Sequence, residues 1–206
     1  EGMNRNRRNS PIIDDELTVT RFDGTDGRPV AVFVNWTAHP TFSGPQTMTV
    51  TADWPGYLQR EIEGFLPGTT CLYSNGAEGD ISTAGAQGPS EFARMEDYGR
   101  KLAVKVLDLI KDVETSGNPV FDYSMTTLNL PDRVVPAALK DAAGPEYGLT
   151  PENLPALLDA LSPPTSYLGV LRVGDLVAVS IPGEMASSLG LEIKTALRDA
   201  GAKSPI

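Results

Sequence analysis

The sequence is poor in two residues that often carry chemistry. Of its 206 residues, one is a histidine (His39) and one a cysteine (Cys71). A lone cysteine cannot close an internal disulfide, so no disulfide framework supports this fold. No apolar run is long enough to span a bilayer. The opening Glu1-Gly2-Met3-Asn4 lacks the basic-then-apolar layout of a signal peptide. Positive charge is also scarce: 17 Lys and Arg against 27 Asp and Glu give a net charge of -10. Such a chain is repelled by phosphate backbones, so no nucleic-acid partner is expected. Internal repeats, low-complexity tracts, a His-Glu-x-x-His pair and a Gly-x-Ser-x-Gly elbow are all missing.

What remains is ordinary for a soluble globular chain, with 40% hydrophobic and 21% charged residues. The hydrophobic pattern alternates strands and helices. Leu17 to Phe22 alternates apolar and polar residues, as in a half-buried strand. Pro29 to Thr37 is a nearly continuous apolar run, as in a strand buried on both faces, and the Asp-Gly pairs between the two predict a hairpin. Asp53 and Pro55 predict a helix start with Asp53 as its cap, and Tyr57, Leu58, Ile62 and Phe65 form one apolar face. Thr69 to Ser74 reads as a short strand. Glu91 to Val113 reads as the longest helix, its buried set being Phe92, Met95, Leu102, Val106, Leu109 and Ile110. A strand over Phe121 to Leu130 precedes a proline-rich surface excursion over 131–164, within which Glu152 to Leu161 is helical. A second hairpin turns at Gly174-Asp175, and a last helix covers Met185 to Arg198. The expected class is α/β: a mixed, largely buried sheet flanked by helices in a single domain.

Three segments that follow strands could carry chemistry, since α/β proteins build sites there. In the first, VNWTAHPT, His39 offers a neutral imidazole suited to zinc; the plain alternative is a histidine that satisfies a loop carbonyl. In the second, SNGAEGDIS, Gly76 and Gly79 would leave backbone amides free to face an anion, and Ser82 could be a nucleophile or a donor. The alternative there is an ordinary loop in which Asp80 caps its own turn. In the third, IPGE, Glu184 stands before a helix, where the dipole favours it and where it could also bind a metal. A basic cluster, Arg5, Arg7 and Arg8, could pair with a carboxylate or oxyanion, or simply with Asp14 to Glu16.

Taken in order, these segments resemble the neutral, non-lysosomal ceramidases and their bacterial relatives. The matching run is Asn4-Arg5, then Asp15 to Val19 with Arg21-Phe22, VNWTAHPT, TADWPGY, SNGAEGDIS and IPGE, over most of residues 4–198. The resemblance implies that residues 1–206 are part of a zinc hydrolase catalytic domain that cleaves the N-acyl bond of ceramide or a related lipid. His39 and Glu184 match zinc ligands, Ser82 the active-site serine, and Arg5 the site arginine, with Arg7 or Arg8 as other alignments. Gly79, Asp80 and Asn75 would shape the site or bind substrate. The chemistry would be attack on the amide carbonyl, either by water activated at zinc or by Ser82. The resemblance also implies secretion or a periplasmic location and leaves room for peripheral membrane contact.

The departures are specific. The family's first zinc histidine belongs upstream of Glu1 and its zinc tyrosine downstream of Ile206, and Thr83 stands where a proline normally follows the serine. The expectation is therefore a portion of a longer protein, holding two of four zinc ligands. The alternatives are a non-catalytic binding or scaffold domain that kept the fold, and a hydrolase of a different amide or ester. A metal-independent serine hydrolase would need a second histidine as base, and this chain has none.

Overall fold

The computed structural model describes residues 2–131, 148–150, 152–161 and 163–206. Most of the proline-rich excursion at 131–164 therefore lies outside the described residues. The α/β expectation holds. The described strands fall in three sheets, and the chain divides into two compact units, one of Glu1–Asp122, Leu171–Val179 and Gly183–Ile206, the other of Tyr123–Val170 and Ser180–Pro182.

The first unit is built on a three-stranded sheet. Strands β2 (Thr18–Asp23) and β3 (Pro29–Trp36) form the expected antiparallel hairpin, with a register shift at Phe22/Asp23. Helix α1 (Asp53–Phe65) then crosses over to β4 (Thr70–Asn75), which runs parallel to β3. A crossover is what a parallel pair requires, because a tight turn can join only antiparallel neighbours. A short second sheet pairs β1 (Asn4–Asn6) antiparallel with β5 (Ile81–Thr83). Helix α2 (Glu91–Leu109) follows and continues as a 3-10 turn, Ile110–Asp112.

The core is where β3, α1 and α2 meet. Val32, Val34, Trp54, Leu58, Ile62, Met95, Tyr98, Leu102 and Val106 are fully buried. Gly99 lets the two helices close on each other: a Cβ there would come within 2.6 Å of the Trp54 carbonyl oxygen. Three expected core members lie outside. Phe65, Phe92 and Leu109 are 65%, 39% and 47% exposed. For Leu109 the reason is geometric. The buried stripe of α2 runs Met95, Tyr98, Leu102, Ala103, Val106, Ile110, and the helical period brings Ile110, not its neighbour Leu109, onto that face.

Tyr98, which the periodicity reading passed over, is the polar centre of this core. Its hydroxyl accepts from Trp36 Nε1 (2.9 Å) and donates to Asn4 Oδ1 (2.7 Å), while Asn4 Nδ2 donates to the Thr37 carbonyl (2.8 Å). The Trp36 indole nitrogen, the Tyr98 hydroxyl and the Asn4 amide thereby each find a partner, as a low-dielectric interior requires. Trp54 packs edge-on against both Tyr98 and Tyr73, with ring centroids 5.0 Å apart in each case. Burial and the nearby Glu63 push the Cys71 thiol up to about 12, which leaves it an inert core side chain.

The remaining strands, β6 (Phe121–Asn129), β7 (Thr165–Val173), β8 (Leu176–Ser180) and β9 (Ser204–Pro205), form a sheet in the order β6-β7-β8-β9. Every residue of β6 is exposed, and the buried character expected of the sheet is concentrated in β3, where Val32, Val34, Asn35 and Trp36 are buried. Within the second unit, helix α3 (Leu154–Leu161) matches the helical stretch expected there. Among the described residues, no helix is long and apolar enough to cross a membrane.

Helix α4 (Ser187–Asp199) closes the first unit and is fixed by a buried ion pair. Lys194 Nζ lies 2.8 Å from Asp14 Oδ2 and 3.3 Å from Glu16 Oε2, and Thr37 Oγ1 donates to the same Asp14 oxygen at 3.1 Å. The acidic run at 14–16 thus pairs with α4, where Arg198 also meets Glu16, and not with the basic cluster at 5–8. The Lys194 and Asp14 side chains are 4% and 0% exposed. Removing one partner of such a pair strands the other charge in the interior. We expect Lys194→Ala to lower unfolding stability by about 3–5 kcal/mol, and Lys194→Ala with Asp14→Ala together to lower it by less than the sum of the single changes. Urea unfolding of the four proteins checks this.

Candidate functional site

His39 leaves β3 and is held on every polar atom by neighbours from other elements. It forms an isolated parallel bridge with Ser82. Its backbone amide donates to the Ile81 carbonyl (3.2 Å), and its own carbonyl accepts from Trp54 Nε1 (3.4 Å). The ring Nδ1 also lies 3.0 Å from the Ile81 carbonyl oxygen. A carbonyl can only accept, so Nδ1 carries the proton. Nε2 faces Glu184 Oε2 at 3.3 Å across 145 residues of chain.

The loop after His39 is fixed from below by Asp53. This residue does not cap α1 as expected: Ala52 occupies the cap position, and Asp53 sits inside the first turn at φ 51°. Its carboxylate accepts from Trp54 N (2.7 Å), Phe42 N (2.9 Å) and Ser43 N (3.3 Å). Left-handed backbone costs a non-glycine residue about 1–2 kcal/mol. Three amide bonds to one carboxylate outweigh that cost.

Ser82 lies on β5 in register with Arg5 of β1, and Arg5 Nε donates to Ser82 Oγ at 3.1 Å. The register separates Arg5 from its neighbours. Arg7 uses its backbone amide on the Asp80 carbonyl, and Arg8 N donates to Asn6 Oδ1. The imidazole of His39 is committed to Ile81 and Glu184, so it does not form a serine–histidine pair with Ser82.

The glycine-rich loop departs from expectation. The amides of both its glycines are taken: Gly76 N donates to the Trp36 carbonyl and Gly79 N to the Met185 carbonyl. Gly79 serves close approach instead, since a Cβ there would lie 2.8 Å from the Glu184 carbonyl oxygen and 2.9 Å from that of Met185. Asp80 does not cap its own turn. Its Oδ1 accepts from Ser187 N at the start of α4 (2.8 Å), and its Oδ2 accepts from Asn6 Nδ2 (3.0 Å). Helix α4 begins two residues later than expected because Ala186 is extended and offers no side-chain cap. Asp80 supplies that cap from a distant loop.

Glu78 was not among the residues that the sequence singled out. Its carboxyl accepts from Asn75, whose Oδ1 in turn meets the Tyr73 hydroxyl. Its Oε2 is buried with no hydrogen-bond partner. Burial pushes this carboxyl up to about 7; the charge of His39 opposes the rise and that of Glu184 adds to it. Nothing in spacing or periodicity marks the residue. The one available signal was an acidic side chain inside a loop of small residues. Among the described residues, no three His, Cys, Asp or Glu groups already converge as a ligand set. A ring nitrogen nevertheless faces a carboxylate oxygen at 3.3 Å, and the buried Oε2 of Glu78 has no hydrogen-bond partner. Both features suit a cation.

An α/β unit that gathers a histidine, a serine, an arginine and two carboxyls at its strand ends has the form of a polar catalytic or ion-binding centre. Its fold is that of the neutral ceramidases. The chain superimposes on the crystal structure of neutral ceramidase from Pseudomonas aeruginosa with a TM-score of 0.77 and 17% identity, covering 100% of this chain and 42% of that one. A ceramidase complexed with C2 gives a TM-score of 0.71 and 15% identity, with 100% and 44% covered. The chain thus spans less than half the length of these structures. No protein-family model and no curated protein matches the sequence.

Asp80 generates a prediction. Burial alone would raise its carboxyl, but the Ser187 amide, the Asn6 side chain and the charge of Arg8 outweigh it and hold the group below its ordinary 3.8. A carboxylate depressed in the folded state contributes stability above its unfolded value, and that contribution fades as pH falls through the folded value. We expect Asp80→Asn to cost about 1.5–3 kcal/mol at neutral pH, the scale of hydrogen bonds to a charged group. The gap to the parent protein should shrink in strong acid. Thermal unfolding across pH measures both.

Proposed function

We propose that this chain carries part of the active site of a zinc-dependent amide hydrolase acting on ceramide or a related N-acyl lipid. The observation that carries the reading is His39: its Nδ1 is tied to a backbone carbonyl, so Nε2 is presented to Glu184 beside the Arg5–Ser82 pair. Fixing the tautomer through the far nitrogen is how metal-ligating histidines are generally oriented. The likeness of fold to two ceramidases supports the substrate class.

In this reading His39 and Glu184 hold the ion, and further ligands come from outside residues 1–206. When bound, zinc supplies Lewis acidity toward a carbonyl oxygen and lowers the pKa of water. Arg5, donating to Ser82 Oγ, stabilises negative charge that develops on that oxygen or on an adjacent oxyanion. Two routes fit these residues. In one, Ser82 Oγ bonds to the acyl carbon, the C–N bond breaks, and the amine leaves with the serine proton; water then hydrolyses the ester. In the other, water adds directly and Ser82 positions the carbonyl. Asn75, Gly79 and Asp80 shape the site through the contacts described above. Secretion or a periplasmic location, and contact with a membrane surface that presents the lipid, belong to the same proposal.

A second reading, a domain that kept the fold without catalysis, draws on the incomplete ligand set among the described residues. The two separate on zinc content. In the full-length protein, His39→Ala should abolish stoichiometric zinc and lower kcat/KM by at least about 10²-fold, the scale of losing one electrostatic stabiliser. Elemental analysis with an N-acyl amide assay measures both. Retention of zinc and turnover in that variant would sink the hydrolase assignment, and absence of zinc and turnover in the parent would favour the non-catalytic one.

A further inference from the structure

We infer that Asn4 and Asn6 are positioning residues that hold the Arg5 guanidinium at Ser82. The inference rests on the hydrolase reading above, in which Arg5 stabilises negative charge. Its starting point is how little else fixes Arg5. Strand β1 is three residues long and pairs with a strand of three, and so short a ribbon is marginal without further support. The Arg5 guanidinium has Ser82 Oγ as its hydrogen-bond partner at 3.1 Å, and among the described residues no carboxylate pairs with it. A long, rotamer-rich side chain held by one hydroxyl takes its place from its backbone.

The two neighbours of Arg5 fix that backbone. Successive side chains of a strand alternate between its faces, so Asn4 and Asn6 share the face opposite Arg5. Both carboxamides are bonded through nitrogen and oxygen alike. Asn4 Oδ1 accepts from the Tyr98 hydroxyl (2.7 Å), and its Nδ2 donates to the Thr37 carbonyl (2.8 Å). Asn6 Nδ2 donates to Asp80 Oδ2 (3.0 Å) and to the Ile12 carbonyl (2.8 Å), and its Oδ1 accepts from the Arg8 amide (2.8 Å). A carboxamide supplies donors and an acceptor at once. An aspartate in either place would lose the donated bonds, and in place of Asn6 it would set a second carboxylate against Asp80.

The anchor points show what this clamp serves. Thr37 lies two residues before His39, and Asp80 two residues before Ser82. Tyr98 is fully buried on α2, where its ring packs on Trp54. Asn4 and Asn6 thus tie the strand of Arg5 to the segments that carry the histidine and the serine. A slip of one residue would turn Arg5 to the opposite face, and side-chain bonds on both sides of Arg5 oppose it. The Asn-Arg-Asn sequence is then one device, an arginine aimed by two amides.

Two readouts in the full-length protein test this. The first needs no turnover: the Nε–H resonance of Arg5 in protein carrying isotope-labelled arginine, assigned by its loss in Arg5→Ala. Asn4→Ala and Asn6→Ala should each shift that resonance in the direction seen in Ser82→Ala and speed its exchange with water. The second is a mutant cycle with an N-acyl amide substrate. In the parent background each substitution should lower kcat by about tenfold or more, with KM within about twofold. In the Arg5→Ala background the same substitution should change kcat by less than about twofold, because a residue that acts through Arg5 has nothing left to position. An unmoved Arg5 resonance in both variants would overturn the inference, as would equal losses of kcat in the two backgrounds, the mark of a purely structural role. A parent without turnover whose Arg5 resonance moves as stated refutes the hydrolase reading and upholds the anchoring of Arg5. If Asn4→Ala does not fold, Tyr98→Phe takes its place, since it keeps the ring and removes the donor to Asn4 Oδ1.

Discussion

The carboxylate of Asp80 is bonded at once to the first strand and to the last helix. Its two oxygens take the Asn6 side chain and the Ser187 amide, and its carbonyl takes the Arg7 amide. Ser82 lies two residues further along the same segment, facing Arg5, and Glu184 lies three residues before the helix start that Asp80 caps. Moving this one carboxylate would shift Arg5 and Glu184 away from Ser82 and His39 together. Its geometry suits the task, because an ionised carboxylate accepts several charge-assisted bonds and a helix start presents unsatisfied amides.

Around Asp80 the loop spends its donors on structure. Gly76 and Gly79 bond to Trp36 and Met185, so these two amides are held within the fold. The polar contacts here are made by side chains: the Arg5 guanidinium donates to Ser82 and the His39 imidazole faces Glu184. These sit on strands and strand ends that the Trp36–Tyr98–Asn4 chain and the Asp53 carboxylate hold rigid. A site with its side chains supported in this way is positioned before any ligand arrives, which is what electrostatic stabilisation needs.

Much of the fold was legible in the residues. The hairpin of β2 and β3 announced itself by alternation and Asp-Gly turns, and α2 by its period. The segment containing His39 stood out because a lone histidine followed a buried strand. Errors fell where side chains act at a distance. A local cap is the expectation for Asp53 and one of two readings for Asp80, because local spacing is all that a sequence displays for an acidic residue near a turn. Both are instead bonded to other segments: Asp53 to Phe42 and Ser43, Asp80 to Asn6 and Ser187. One of the two readings of the basic cluster pairs it with the acidic run at 14–16, whereas Asp14 and Glu16 meet Lys194 and Arg198 of α4.

The sequence by itself determined the α/β class, the order of its elements and the residue types available for chemistry, since these depend on hydrophobic period and turn residues within short windows. Tertiary structure decided which of those residues meet. Lys194 reaches Asp14 across 180 positions, Ser187 reaches Asp80 across 107, and Glu184 reaches His39 across 145. No local period encodes such separations. Glu78 is the clearest case: an unremarkable loop carboxylate until folding buried one of its oxygens without a hydrogen-bond partner.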